Sequence, residues 1–319
     1  MRLQHERIRT VSDIIFFDSI ELGDILRVTY YTAGRILQVV YNFVAPEAKT
    51  AAERLALDQP RPVLRLPGLG GALTLRPGLL TEFCGHAGAG KTQLCFSVAA
   101  EVARMGRTVV WIDTEKTFVP ARVAQIAAAQ NGGQGGGFDV DRFLSRVQVM
   151  EAVTLEDLKK CVQSVKADSA DIGCIIIDSL ADLARKNRND ENTFDRSKSD
   201  NFAFELTALA SDLKQIATQR DLIAIATNQI YGGANNSNNS GNRGNTNSAA
   251  SKVKAALGDT WYYSVNLRVT LQLVPNSNPP VRTLTLTKAA WSPPTTTHFV
   301  VNEAGVALAP ENPLIPLQA

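Results

Sequence analysis

The segment Gly85-His86-Ala87-Gly88-Ala89-Gly90-Lys91-Thr92 constrains this chain most, because of what stands on either side of it. An apolar run, Leu79 to Cys84, precedes it, and TQLCFSVAAEVA follows with the spacing of a helix. A G-x-x-x-x-G-K-[ST] loop between a strand and a helix fits an α/β fold. Gly85, Gly88 and Gly90 permit a path in which backbone N–H groups point inward, and the helix N-terminus adds a favourable dipole. Such a concavity suits phosphate. The expected nucleotide site comprises Gly85, His86, Ala87, Gly88, Ala89, Gly90, Lys91, Thr92 and, at the helix start, Gln93. Lys91 would meet the β- and γ-phosphates of ATP, and the Thr92 hydroxyl would sit on Mg²⁺. A glycine-rich turn without a ligand is the plain alternative, and the correct flanks argue against it.

The rest of the chain agrees with a sheet covered on both faces. Short continuous apolar runs (Leu79 to Cys84, Thr108 to Ile112, Cys174 to Ile177, Leu222 to Ala226) alternate with helical patterns from Lys91, from Pro120 and up to Thr218. Continuous rather than alternating runs indicate a mainly parallel central sheet flanked by helices. From Leu267 to Leu286 the pattern alternates, as in antiparallel edge strands. Helical spacing between Arg9 and Leu57, broken near Gly34 and stopped by Pro46, predicts a small N-terminal helical module over 1–57. The Pro- and Gly-rich residues 58–71 read as a linker into a core over 72–319. Two stretches, Asn131 to Gly137 and Tyr231 to Ser251, have too few apolar residues to offset their ordering entropy by burial.

Composition narrows the setting. A chain of 319 residues that is 45% hydrophobic can bury one large core and a small accessory domain. A net charge of +2 gives no general attraction to a polyanion, so nucleic-acid contact needs local cations. Cys84, Cys95, Cys161 and Cys174 lack metal or disulfide spacing and read as reduced core thiols of an intracellular protein. No apolar run approaches the ~20 residues of a membrane span, and Met1 to Arg7 lacks a secretory apolar segment. The cytoplasm or nucleus is the expected compartment.

Three further strand ends supply chemistry. Cys174-Ile175-Ile176-Ile177 delivers Asp178, a candidate metal carboxylate beside the loop, although an aspartate there is also a common helix N-cap. Val109-Val110-Trp111-Ile112 delivers Asp113-Thr114-Glu115, where Glu115 is the candidate to position a hydrolytic water; alternatively it favours the next helix start electrostatically. Leu222 to Ala226 ends in Thr227-Asn228-Gln229, an amide pair that can sense a γ-phosphate or simply form a turn.

Taken in order, GHAGAGKT, WIDTEKTF, CIIIDS and ATNQI resemble the RecA-family recombinases, and more narrowly the eukaryotic strand-exchange recombinase and its paralogs. Ala256-Leu257-Gly258-Asp259-Thr260-Trp261, Ser264 to Arg268, Leu286-Thr287-Lys288, Ser292-Pro293-Pro294 and Asn302 to Gly305 look more like the B-type paralog branch than the recombinase. The resemblance implies an α/β, RecA-like P-loop ATPase core using ATP and Mg²⁺, with Glu115, Lys91 and Gln229 as catalytic residues and Thr92 and Asp178 at the metal. It implies a nuclear mediator of homologous recombination and double-strand-break repair. Its partners would be single-stranded or branched DNA, other paralogs, the C-type foremost, and the recombinase filament.

By family position, Arg185, Lys186, Arg188, Arg196 and Lys198 fall in a first DNA-binding loop, and Arg243 and Lys252 in or beside a second. On charge alone, the first group also reads as a solvated helix connection. Lys116 stands beside Glu115 where the recombinase has a small residue. A clear Phe-x-x-Ala assembly motif is missing, Tyr41 to Pro46 being the nearest text. These departures favour a mediator with weak ATPase activity over a self-sufficient strand-exchange enzyme; a P-loop ATPase without a DNA role is the third possibility.

Overall fold

The computed structural model describes residues 8, 10–57, 62–130, 139–189, 196–231 and 254–310. It divides into two compact units, Met1–Pro60 and Arg61–Ala319. In the first, a 3₁₀ turn (Val11–Phe16) precedes α1 (Ser19–Leu26), α2 (Tyr30–Val44) and α3 (Ala51–Leu57). Asp18 starts α1 by accepting the N–H groups of Ile20 and Glu21 at 2.7 and 2.8 Å, and Glu21 returns a carboxylate to the Asp18 N–H at 3.1 Å. The expected break at Gly34 is corrected: the chain turns at left-handed Arg27, and α2 runs through Gly34. A mid-helix glycine costs about 1 kcal/mol, which burial of Ala33, Leu37 and Val40 on the same helix offsets.

The second unit begins earlier than its composition suggests. Of the expected linker 58–71, residues 58–61 lie outside the described part, but Leu64, Leu66 and Leu69 are buried in the core. Strand β1 (Leu64–Arg65) pairs antiparallel with β2 (Thr74–Leu75) around a 3₁₀ turn at Pro67–Leu69. Proline and glycine here shape the turns of the connection between the two strands, while the interspersed leucines anchor it.

The main sheet is built from β3 (Leu80–Gly85), β4 (Thr108–Asp113), β5 (Val147–Glu151), β6 (Ile172–Asp178), β7 (Ile223–Tyr231), β8 (Lys254–Ala255), β9 (Leu267–Leu273), β10 (Arg282–Lys288), β11 (Thr296–Asn302) and β12 (Gly305–Leu308). Its order is β12-β11-β10-β9-β3-β7-β6-β4-β5, with β8 on β7. Strands β5, β4, β6, β7, β3 and β9 run parallel, and β9 to β12 are antiparallel to one another. Thus Leu267–Leu273, expected at an antiparallel edge, is an interior strand parallel to β3. Its alternation continues to Leu273, but burial stops after Leu271, and Gln272 and Leu273 are exposed.

Helices cover both faces, as continuous apolar strands require. Phe83, Val109, Trp111, Cys174 and Ile176 pack with residues of α4 (Lys91–Arg104) and α5 (Pro120–Gln130). After the short α6 (Val140–Leu144) come α7 (Leu155–Ala167), α8 (Leu180–Asn189), α9 (Arg196–Arg220) and α10 (Gly258–Ser264). Leu80, Val110, Ile112, Ile175 and Ile177 pack on α7, α9 and α10 residues such as Leu158, Leu213 and Trp261. Each such side chain contributes about 1.5–3 kcal/mol by burial. Neighbouring β-strand residues thus serve opposite cores. Registers Asp113 to Asp178 and Gly85 to Gln229 bring the C-terminal strand ends to one edge.

Candidate functional site

The strand-to-helix loop has the backbone its glycines imply. Gly88 and Gly90 have φ of 76° and 99°, and Gly90 caps α4. A Cβ on Gly85 would lie 2.4 Å from the Leu271 carbonyl oxygen of β9, so only glycine allows this close strand pairing. Lys91 opens α4 and folds back, its Nζ donating to the carbonyls of Gly85 and His86 at 2.9 Å each. Burial pulls its pKa down, opposed by the charges of Asp178 and Glu115. An anion of high charge near the loop amides would relieve that penalty.

Asp178, at the end of β6, is buried. Thr92 Oγ1 donates to its Oδ2 at 2.8 Å and Thr227 Oγ1 to its Oδ1 at 2.5 Å. Burial raises its pKa; the two hydroxyls and Lys91 pull it down, and Glu115 pushes it up. A carboxylate held at cost beside a loop threonine suits a hard divalent cation. Mg²⁺ usually takes one or two carboxylates and completes its shell from phosphate and water, so the Thr92–Asp178 pair is the part of such a site that the chain itself would supply.

Glu115 stands next to this pair. Ser179 Oγ donates to Glu115 Oε1. Thr114 N–H donates to the Asp178 carbonyl at 3.1 Å, and Thr114 Oγ1 accepts the Ser179 N–H at 2.8 Å. Asp113 gathers the following turn by accepting the N–H groups of Glu115, Thr117 and Phe118 at 3.1, 3.2 and 2.8 Å. Lys116 lies in the left-handed region and directs its ammonium to Glu151 at 3.3 Å, so its charge serves the end of β5. Gln229 lies beside Gly85 in register, and its carbonyl accepts the Ala256 N–H at 2.8 Å.

The cations expected at DNA fall into three groups. Arg185 and Lys186 both pair with Asp182 on α8, Lys186 at 2.6 Å, and Lys186 also donates to the Thr114 carbonyl at 3.1 Å. Burial raises the Asp182 pKa, but these two cations outweigh it and the net shift is downward. Asp182 offsets only part of their combined charge, and both cationic side chains remain nearly half exposed. Arg188, Arg196 and Lys198 belong to α8 and α9, with side chains outside the described part; Arg243 and Lys252 lie outside it altogether, as do residues 131–138 and 232–253.

Comparison with known proteins places the edge in context. The family model described as Rad51 matches residues 69–307. The chain belongs to the Rad51 family. It is 28% identical to the human "DNA repair protein RAD51 homolog 2" over 96% of this chain and 85% of that protein. The mouse counterpart is 27% identical over 96% and 93%. "DNA repair and recombination protein RadB" of Methanococcoides burtonii is 29% identical over 57% of this chain and 73% of its own length. A crystal structure of the RadB recombinase superposes with a TM-score of 0.56 at 21% identity, covering 75% of this chain and 94% of that one, which establishes the RecA-like fold. Rad51-family membership makes the coarse role plain: a recombination-repair protein of a family of nucleotide-binding ATPases.

Within this Rad51-family core several residues escape inspection of motifs. Ser179 and Thr227 adjoin the recognised Asp178 and Asn228, yet only folding turns their hydroxyls onto Glu115 and Asp178. Arg122 of α5 donates to the Gln93 side-chain oxygen at 2.9 Å and to the carbonyls of Asn302 and Glu303 at 2.5 and 3.2 Å, fixing the residue that follows the loop. On the opposite face of β3, fully buried Glu82 accepts from Asn228 Nδ2 at 2.6 Å and pairs with Arg268. No linear signal links residues 82, 228 and 268, which adjacent strands bring together.

Proposed function

We propose that this chain is an ATP-binding recombinase paralog that acts as a mediator in homologous recombination and double-strand-break repair in the nucleus. The convergence of Lys91, the Thr92–Asp178–Thr227 cluster and the Glu115–Ser179 pair on one sheet edge carries the reading. Lys91 and the amides of residues 85–93 hold the triphosphate. Thr92 and Asp178 hold Mg²⁺, which supplies charge neutralisation to the phosphates. Glu115, aligned by Ser179 and by the turn that Asp113 gathers, orients the attacking water. Gln229, beside Gly85, reports the γ-phosphate to residues 232–253.

Assembly with sister paralogs is supported by the edge of the sheet. Among the described residues strand β5 has one partner, β4, and Val149 on it is exposed. A groove of about 540 Å³ beside it is lined by Val149, Met150, Ser164, Val165 and Asp168. An extended segment of a sister chain can add there as a further strand. DNA contact by Arg185 and Lys186 competes with their Asp182 partner and rests on two cations, which makes binding modest in the isolated chain and only shallowly salt-dependent.

Purified chain, alone and with its co-purified paralogs, tests this reading by ATP binding, single-stranded or branched DNA binding and turnover. Glu115→Gln should keep ATP binding and lower DNA-stimulated hydrolysis by about 10²–10⁴-fold. Combined Lys91→Ala and Asp178→Ala should abolish nucleotide-dependent assembly and repair. Intact assembly and repair in that double variant would overturn the proposal, and regular helical filaments of the chain alone by electron microscopy would instead favour a self-sufficient recombinase.

A further inference from the structure

Arg282 opens β10, and its side chain lies against the phosphate loop. A Cβ placed on Gly90 would stand 3.1 Å from Arg282 Cδ and 3.3 Å from its Nε, so the arginine stem crosses directly beside the residue that caps α4. Phe299, paired in register with Arg282 across β10 and β11, lies 3.5 Å from the same point. Arg282 Nη1 donates to the Pro280 carbonyl at 3.1 Å, while Nε is shielded from solvent without an acceptor. Burial lowers the pKa of this guanidinium and no opposing charge restores it.

Two other part-buried arginines of the same unit have carboxylate partners. Arg107 pairs with Asp171 at 3.0 Å, and Arg268 pairs with Glu82. Among the described residues no carboxylate pairs with Arg282. A cation partly withdrawn from water, with an orphan donor, is costly unless an anion joins it. The neighbouring feature is a loop whose amides and helix terminus favour phosphate.

We infer that Arg282 is an anion-contacting residue of the phosphate site, reaching it from β10, with a nucleotide phosphate as its counter-charge. The inference rests on the nucleotide reading of the loop. It gives the site a second cation from a strand separated from Lys91 by most of the core sequence, and it ties the β9–β10 hairpin to nucleotide occupancy.

Binding of Mg-ADP to the purified full chain tests it, measured with a fluorescent ADP analogue over a range of salt. Arg282→Gln should weaken binding at least about tenfold. Arg282→Lys should recover most of that loss, and the affinity of Arg282→Gln should depend less steeply on salt than that of the parent. Thermal melting without nucleotide reports whether each variant is folded. Unchanged ADP affinity in Arg282→Gln overturns the inference. So does a loss that lysine does not rescue and salt does not reduce, since that pattern marks a packing role. If the parent chain and Lys91→Ala both fail to bind ADP, the nucleotide reading fails and the inference falls with it.

Discussion

Glu82 and Thr227 show how single residues act through partners that the sequence does not place beside them. Glu82 is fully buried between Arg268 and Asn228. Truncating one member of such a pair leaves the other charge uncompensated, so Glu82→Ala should cost about 3–5 kcal/mol in chemical denaturation. The combined Glu82→Leu, Arg268→Met and Asn228→Leu variant should recover much of that loss, because apolar chains then replace the whole cluster and leave no buried donor unpaired. Thr227→Val removes a hydrogen bond to the Asp178 carboxylate and should cost about 1.5–3 kcal/mol. The sign of its pH dependence follows from Asp178. Burial raises the folded pKa above the unfolded 3.8, so the carboxyl's contribution is fully present below that value and lost as pH rises through the folded pKa. The Thr227 bond supports the ionised form. Denaturation at neutral pH should therefore show a larger deficit for Thr227→Val than denaturation below the ordinary aspartate range.

At the scale of elements, β5 illustrates why a short edge strand is hard to read. Val147 to Glu151 are partly or well exposed, whereas β6 is buried along its whole length. The apolar run of β6 is legible because two helical layers cover it; β5 spans five residues, with Gln148 and Glu151 interrupting Val147, Val149 and Met150, too short a pattern to separate it from a loop. The same exposure makes it available. Val149→Asp should leave stability within about 0.5 kcal/mol, as surface substitutions do, and should abolish co-purification with sister paralogs if they add a strand there. Retained co-purification would remove β5 from the assembly surface. The Leu64 to Leu75 hairpin makes the complementary point, since composition marked residues 58–71 as a linker while the leucines at 64, 66 and 69 pack on the core.

For the whole molecule, the division at Pro60 implies two folding units. The second contains both hydrophobic layers and all the residues proposed at phosphate and metal. A chain beginning at Arg61 should unfold in one cooperative transition and retain ADP affinity within a few-fold of the full chain, as followed by circular dichroism and fluorescence titration. Loss of cooperativity would show that the helical unit is needed to complete the core.

Sequence alone determined the class of the protein. A phosphate loop needs glycine where φ is positive, a lysine and a threonine at the helix mouth, and continuous apolar strands beneath, and each of these is a local, fixed-spacing demand. Asp178, Glu115 and Gln229 were legible for the same reason, as polar residues ending apolar runs. Tertiary structure decided what surrounds them: that Ser179 bonds Glu115, that Thr227 bonds Asp178, that Arg268 and Asn228 meet Glu82, and that Arg282 approaches Gly90. Those contacts depend on strand register and on which face each side chain takes. Both are set by packing among segments far apart in the chain, so no window of sequence contains them.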